Sequence, residues 1–293
     1  MTARLRLGTS SWSASSWVGS FYPEGTRPAD FLGRYSEVFD TVEADTTYYR
    51  IPTRETIAGW RRRTPEGFRI SAKFPRSIVH AGEGPRPDAT RVLVPEHTGR
   101  DTERFLEVMG GLGERLGPLV LQFPYFNREA FPDPEPFLER LEAYLEQLPR
   151  ELRIVVEVRN KAWMGAPLLD LLRRQGAAFC LLDLAYVPHP ADLARDHDLL
   201  TADFTYARLV GDRKRIDALT DRFDQVVLDQ RPRLERWADL VLDLAGRTTE
   251  LFAYANNHYA GHGPATIGEL RALVEGREPG RPPRVPDTGE LPF

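Results

Sequence analysis

The sequence predicts a (β/α)8 barrel of parallel strands with a short irregular C-terminal tail, on three observations. Short strands alternate with amphipathic helices along the chain, and loop residues mark nearly every change of period. Eight such pairs fit within roughly 250 residues, the usual size of this barrel. No Gly-x-Gly-x-x-Gly fingerprint follows the first strand, which counts against a doubly wound dinucleotide-binding sheet.

Each element has a local reason. Arg4 to Gly8 reads as the first strand, followed by the Ser- and Trp-rich loop Thr9 to Trp17. Pro28 opens a helix whose apolar residues Phe31, Leu32, Tyr35, Val38 and Phe39 keep helical spacing. Thr41 to Tyr48 is the second strand, and Thr53 caps the next helix, which turns Ile57 and Trp60 inward. Phe68 to Phe74 is the third strand. A Gly/Pro-rich loop runs from His80 to Asp101, and a helix covers Thr102 to Leu112. Pro118 to Pro124 is the fourth strand and Pro136 to Leu148 a strong helix. Arg153 to Arg159 is the fifth strand, and the helix Pro167 to Gln175 stops at Gly176. Ala178 to Leu184 and Thr205 to Gly211 are the sixth and seventh strands. A helix over Pro232 to Ala245, the strand Leu251 to Asn257 and a helix over Pro264 to Glu275 complete the series. The expected organisation is one barrel domain over residues 1–276 and a Pro/Arg-rich tail over 277–293, without apolar periodicity.

Composition narrows the function classes. A hydrophobic content of 41% and a charged content of 28% describe a globular chain. No apolar run approaches the ~20 residues of a membrane span, so no membrane partner is expected. The first strand starts so near Met1 that a signal peptide has no room, which predicts a cytoplasmic location. Cys180 is the single cysteine. It excludes an intrachain disulfide, and its apolar neighbours predict a buried, inert thiol. A net charge of -4 argues against a surface that coats nucleic acid, though not against a local basic mouth. Lysine occurs only at 73, 161 and 214.

In a barrel one strand face meets the helices and the other points inward. Assigning the apolar faces to the helices leaves Glu43, Asp45, Ser71, Lys73, Gln122, Glu157, Arg159, Asp183, Tyr206, Arg208, Tyr254 and Asn256 facing inward. They lie toward the C-terminal ends of their strands, where barrel enzymes place their active sites. Read alone, Glu43 and Asp45 fit a solvated edge strand equally well. Read together, the polar residues fit either a neutral ion-pair plug or a pocket. Glu43, Glu157, Asp45, Asp183 and His258 are the candidate proton carriers, because crowded or desolvated carboxyls and an imidazole titrate in a useful range. Lys73, Arg159 and Arg208 suit an anionic group. Trp12, Tyr48, Arg50, Gln122, Tyr254, Asn256 and Asn257 complete the candidate substrate-binding set. No His-x-x-x-His helix or dense His/Asp cluster predicts a metal, no serine has nucleophile-elbow spacing, and any cofactor is unknown.

Several stretches taken together resemble the YecE-like family, the conserved domain of unknown function numbered seventy-two. They are Gly8-Thr9-Ser10-Ser11-Trp12, Phe21-Tyr22-Pro23, Val42 to Arg50, Phe68 to Pro75, Leu116 to Pro124, Val156 to Arg159, Ala207 to Gly211 and Tyr254 to His262. The resemblance covers the chain to about residue 276 and implies the same barrel, with no reaction to carry over. This chain departs from the family pattern at Asp45 (usually Asn), at Asn160 and Val210 (usually His) and at Ser11 (usually Gly). Asp45 makes the mouth more acidic. Losing two histidines weakens any acid-base or metal role at those places.

Three functions follow as expectations. The first is a hydrolase- or isomerase-type enzyme acting by acid-base chemistry on a small anionic or sugar-like substrate, which could contain phosphate. The second is a nucleic-acid processing or binding protein, motivated by Arg50, Arg54, Arg76 and Asp212-Arg213-Lys214-Arg215. The third is a non-catalytic ligand sensor or scaffold.

Overall fold

A computed structural model describes residues 3–82, 85–276 and 285–286. Its eight strands are β1 (Arg4–Thr9), β2 (Thr41–Ala44), β3 (Arg69–Lys73), β4 (Leu116–Gln122), β5 (Ile154–Glu157), β6 (Ala178–Leu184), β7 (Phe204–Gly211) and β8 (Glu250–Ala255). The ladders are all parallel and run in chain order round the barrel, β8 returning to β1. The helices are α1 (Phe31–Tyr35), α2 (Arg54–Arg62), α3 (Arg76–Val79), α4 (Pro95–Gly110), α5 (Glu135–Glu146), α6 (Ala166–Gln175), α7 (Pro190–Leu193), α8 (Arg213–Asp217), α9 (Arg231–Ala245) and α10 (Gly263–Val274). Local chemistry sets several boundaries. Thr53 Oγ1 accepts the Thr56 amide at the start of α2, and Gly176 ends α6 with φ of 65°. Pro95 opens α4 well before the predicted start at Thr102, which shortens the long loop. Of the predicted tail only Val285 and Pro286 are described. Val285 is buried, and its amide donates to Phe21 O at 2.8 Å.

The sheet is nearly closed rather than edgeless. β1 and β2 lie side by side at the ends of the strand order with no ladder between them. The phenol of Tyr35 spans the seam. It accepts from Thr9 N at 2.8 Å and donates to Thr41 O at 3.1 Å. Gly8 permits the approach, because a Cβ there would stand 2.2 Å from Thr41 O.

The interior is layered. Arg6 and Arg153 both pair with Glu250 at the N-terminal end, and Arg6 also reaches Asp40 Oδ2 at 3.1 Å and Gly67 O at 2.9 Å. Buried cations persist where they are paired in this way. Above them Val120, Val155, Ala178, Cys180, Phe204, Tyr206, Phe252 and Tyr254 pack as one apolar cluster. Tyr254 ties this layer to β2 and β3 through Thr41 Oγ1 (2.6 Å) and Ser71 Oγ (2.8 Å). The polar residues at the C-terminal end therefore rest on a packed floor.

Candidate functional site

At the C-terminal end the barrel holds one continuous charged network. Arg208 on β7 is almost wholly buried. It donates to Glu43 Oε1 on β2 at 2.9 Å, to Gln122 Oε1 on β4 at 2.8 Å, and to Glu157 on β5. Its buried Nε has no hydrogen-bond partner. Tyr206, two residues earlier on the same strand face, donates to Glu43 Oε2 at 2.7 Å. Arg159 Nε donates to Glu157 Oε1 at 3.0 Å, and Lys73 Nζ stands 3.4 Å from Glu43 Oε1. Lys73 ends β3, and Thr47 Oγ1 clamps its backbone, accepting from its amide at 2.9 Å and donating to its carbonyl at 2.8 Å.

Burial works against the charge on Glu43, but Arg208 and Lys73 outweigh it and hold the carboxyl below its ordinary range. Glu157 is likewise held low, by Arg208 and Arg159 against burial. Burial moves the other groups the opposite way. It raises Asp45 despite the nearby Lys73 charge, and with the Arg208 charge it lowers Lys73 despite Glu43 and Asp45. Cys180 also faces this interior, 4.0 Å from Glu157 Oε2, and burial pushes its thiol well up. It remains a protonated, inert group.

The remaining candidates divide by place. β2 ends at Ala44, so Asp45 is not an inward strand residue; it opens the 3-10 turn Asp45–Tyr48 and is half-buried. Tyr48 is half-buried near the charges of Arg76 and Arg159, and Arg50 is exposed. Trp12 packs edge-on against Trp60 of α2, with ring centroids 5.2 Å apart. Asn256 Oδ1 accepts the His258 amide, and Asn257 Oδ1 accepts from Trp17 Nε1 (3.3 Å) and Gly263 N (2.9 Å), so both asparagines brace loops. The His258 ring reaches Asn256 Oδ1 and, at 3.1 Å, Asp217 Oδ1 of α8; burial holds its pKa low against the Asp217 charge.

Asp183 does not join the mouth. Its carboxylate lies between β6 and α9, accepting from Trp237 Nε1 (2.9 Å), Tyr259 OH (2.9 Å) and Arg233. The reason is strand parity. Ala178 and Cys180 face the interior cluster, which turns Phe179, Leu181 and Asp183 toward the helices. Since β6 is apolar on both faces, its sequence carries no contrast from which to read the inward side. Tyr206, an expected inward residue outside the catalytic and binding candidates, and Thr47 also belong to the site. Alternation with Arg208 signals the first, and no pattern signals the second, which acts from a 3-10 turn.

Two cavities open near these loops. One of about 210 Å³ is lined by Ser10, Ser13, Trp17, Asp45, Asn256 and His258 among others, and Ser10 Oγ there is buried without a hydrogen-bond partner. One of about 790 Å³ lies to the side, where the loops after β3 and β4 present Arg86, Asp88, Arg91, Tyr125 and Glu129. The charged network stands apart from this larger cavity, whose lining mixes both signs. Among the described residues no group of three or more His, Cys, Asp and Glu is placed to hold a metal ion. At the departures, the Asn160 side chain clamps Phe126, accepting from its amide and donating to its carbonyl, and Val210 packs partly buried on the core.

Comparison with known proteins agrees with the architecture. The chain is similar to the protein YecE of Escherichia coli strain K12, with 32% identity over 158 residues, 53% of this chain and 48% of that protein. The match thus spans about half the length of the curated relative. It is also similar to a solved family protein from Thermotoga maritima MSB8, with TM-score 0.72 and 27% identity, over 93% of this chain and 99% of that one. A second solved structure, from Enterococcus faecalis V583, has TM-score 0.67 and 21% identity over 92% and 95% of the two chains, and shares the fold. The profile of the family described as "Protein of unknown function DUF72" matches residues 6–289, and the chain belongs to that family.

Proposed function

We propose that the barrel mouth binds a small anionic, sugar-like molecule, carrying phosphate or carboxylate, and transforms it by proton transfer. One observation carries this reading. Two buried carboxylates, Glu43 and Glu157, meet three cations, Arg208, Lys73 and Arg159, and the pairing is uneven. Arg208 is bound by both carboxylates through its two terminal nitrogens, whereas Lys73 is held at 3.4 Å and the Arg159 side chain is 26% exposed. Asp45 balances the excess cation only when ionised, and burial opposes that. The paired groups Glu43, Glu157, Arg208, Lys73 and Arg159 by themselves carry one net positive charge and suit an anion. Glu43 and Glu157 then serve as fixed charges that orient the cations, in place of the proton-moving role the sequence suggests. Asp45 is the carboxyl suited to give and take the proton.

The test is thermal stabilisation and calorimetric titration with inorganic phosphate and small carboxylates, on the parent and on Lys73→Met and Arg159→Met. Saturable stabilisation of a few degrees in the parent, weakened at least severalfold in both variants, is expected. Equal responses in all three proteins would remove the reading. A nucleic-acid role has less support, because Arg54 pairs with Glu107 and Arg213 with Asp217. It predicts retardation of nucleic-acid probes that falls steeply with salt.

A further inference from the structure

We propose that Lys73 is an amine nucleophile that captures small anionic aldehydes or ketones as a protonated Schiff base at the barrel mouth. The inference rests on the anion-binding reading above and names its substrate class. Three of the 39 basic residues are lysine, and Lys161 and Lys214 are exposed while Lys73 is buried. A fixed positive charge is supplied as well by arginine, which this chain uses almost everywhere. An amine that can lose its proton and attack a carbonyl is supplied by lysine alone.

The geometry holds this amine in a loose ion pair with Glu43. Glu43 accepts from Arg208 at Oε1 (2.9 Å) and from Tyr206 at Oε2 (2.7 Å), and Lys73 Nζ stands 3.4 Å from Oε1. Thr47 fixes the Lys73 backbone at both its amide and its carbonyl. Asp45 and Lys73 follow Ala44 and Ala72, which are paired in the β2–β3 register, and the Asp45 carboxyl and the Lys73 amine each feel the other's charge. Burial and the Arg208 charge lower the Lys73 pKa and so raise its share of neutral amine, while burial raises the Asp45 pKa.

The step balances with these groups. The neutral Nζ attacks the carbonyl carbon, a C–N bond forms, and one amine proton moves to the former carbonyl oxygen, giving a carbinolamine. Asp45 donates a proton to that hydroxyl, which leaves as water while the nitrogen lone pair forms the iminium. The resulting Asp45 carboxylate faces the new cation. Arg159, part-exposed beside Glu157, is the group to hold the substrate's carboxylate or phosphate.

The experiment is reductive trapping of the parent protein with glyoxylate or pyruvate and cyanoborohydride, read by intact mass and peptide mapping. A single adduct on the Lys73 peptide is expected, forming about tenfold faster than at Lys161 or Lys214 for each unit by which the pKa falls. Phosphate should slow it, and Lys73→Arg should lose it. Mapping on the parent localises the amine without any variant. Labelling spread evenly over Lys161, Lys214 and the N-terminus would overturn the inference. Thermal stabilisation by phosphate alone reads anion binding with no covalent step. If phosphate stabilises and Lys73 stays unlabelled, the Schiff base fails and the anion reading stands; if neither occurs, both fail.

Discussion

Arg208 on β7 reaches past β6 to Glu157 on β5 and, on its other side, across the barrel to Glu43 on β2. One guanidinium thereby joins three strands of which no two are neighbours, and it does so on the floor of the mouth. Removing it would leave buried Glu43 with only Lys73 and Tyr206, and buried Glu157 with only Arg159 as a counter-charge. Arg208→Met should therefore cost about 3–5 kcal/mol, the size of breaking a buried ion pair by deleting one partner. Urea unfolding measures this. Adding Glu157→Gln to the same chain should recover part of the loss, because one uncompensated charge disappears.

The same network sets the acid limit of stability. Glu43 and Glu157 are held below the ordinary value of 4.5, so the unfolded chain takes up their protons first as pH falls. Their contribution is complete above about 4.5 and is lost as the pH drops through the lower folded-state values. Urea midpoints taken from pH 7 downward should fall in that window, and Glu43→Gln with Glu157→Gln should flatten the fall. An unchanged slope in the double variant would contradict the assignment.

Asp45 has the opposite sign. Its folded-state pKa is raised above 3.8, so its contribution is present below that value and is lost as pH rises through the folded one. Asp45→Asn should be more stable than the parent at pH 7 and lose that advantage under acid. In the same variant, phosphate binding should persist. Melting temperature across pH checks the first part, and phosphate titration the last.

The seam makes Tyr35 a structural test. Tyr35→Phe leaves Thr9 N and Thr41 O without their shared partner, a loss of about 1–3 kcal/mol for buried groups left unsatisfied. Gly8→Ala should cost more, since its new methyl would meet Thr41 O at 2.2 Å and force β1 from β2. Faster amide exchange in both strands is the expected signature.

Asp183 separates stability from binding. Asp183→Ala removes the acceptor of Trp237, Tyr259 and Arg233 and should destabilise by several kcal/mol. Phosphate affinity of the folded fraction should stay at the parent value. A large loss of affinity would place Asp183 functionally in the mouth after all.

Alternation of apolar and polar residues carried the barrel and much of its mouth. Glu43, Lys73, Gln122, Glu157 and Arg208 each stand near the end of a strand whose other face is apolar, and period-2 geometry is enough to bring them inward. β6 offers no such contrast, so nothing in its sequence shows that Asp183 faces the helices rather than the mouth. Polar alternation continues in the sequence beyond the ladder, so Asp45 and Arg159 look like strand residues there. The chain leaves the sheet at Ala44 and Glu157, where pairing stops.

Local patterning by itself determined the fold, the strand order and which end of the barrel holds the polar residues, since each rests on periodicities of a few residues. Only the tertiary structure decided which charge meets which. Tyr35 closing the seam, Arg208 satisfying two distant glutamates and Lys73 left at 3.4 Å are contacts between strands far apart in the chain. Their energies depend on distance and burial, which no pattern along one strand contains.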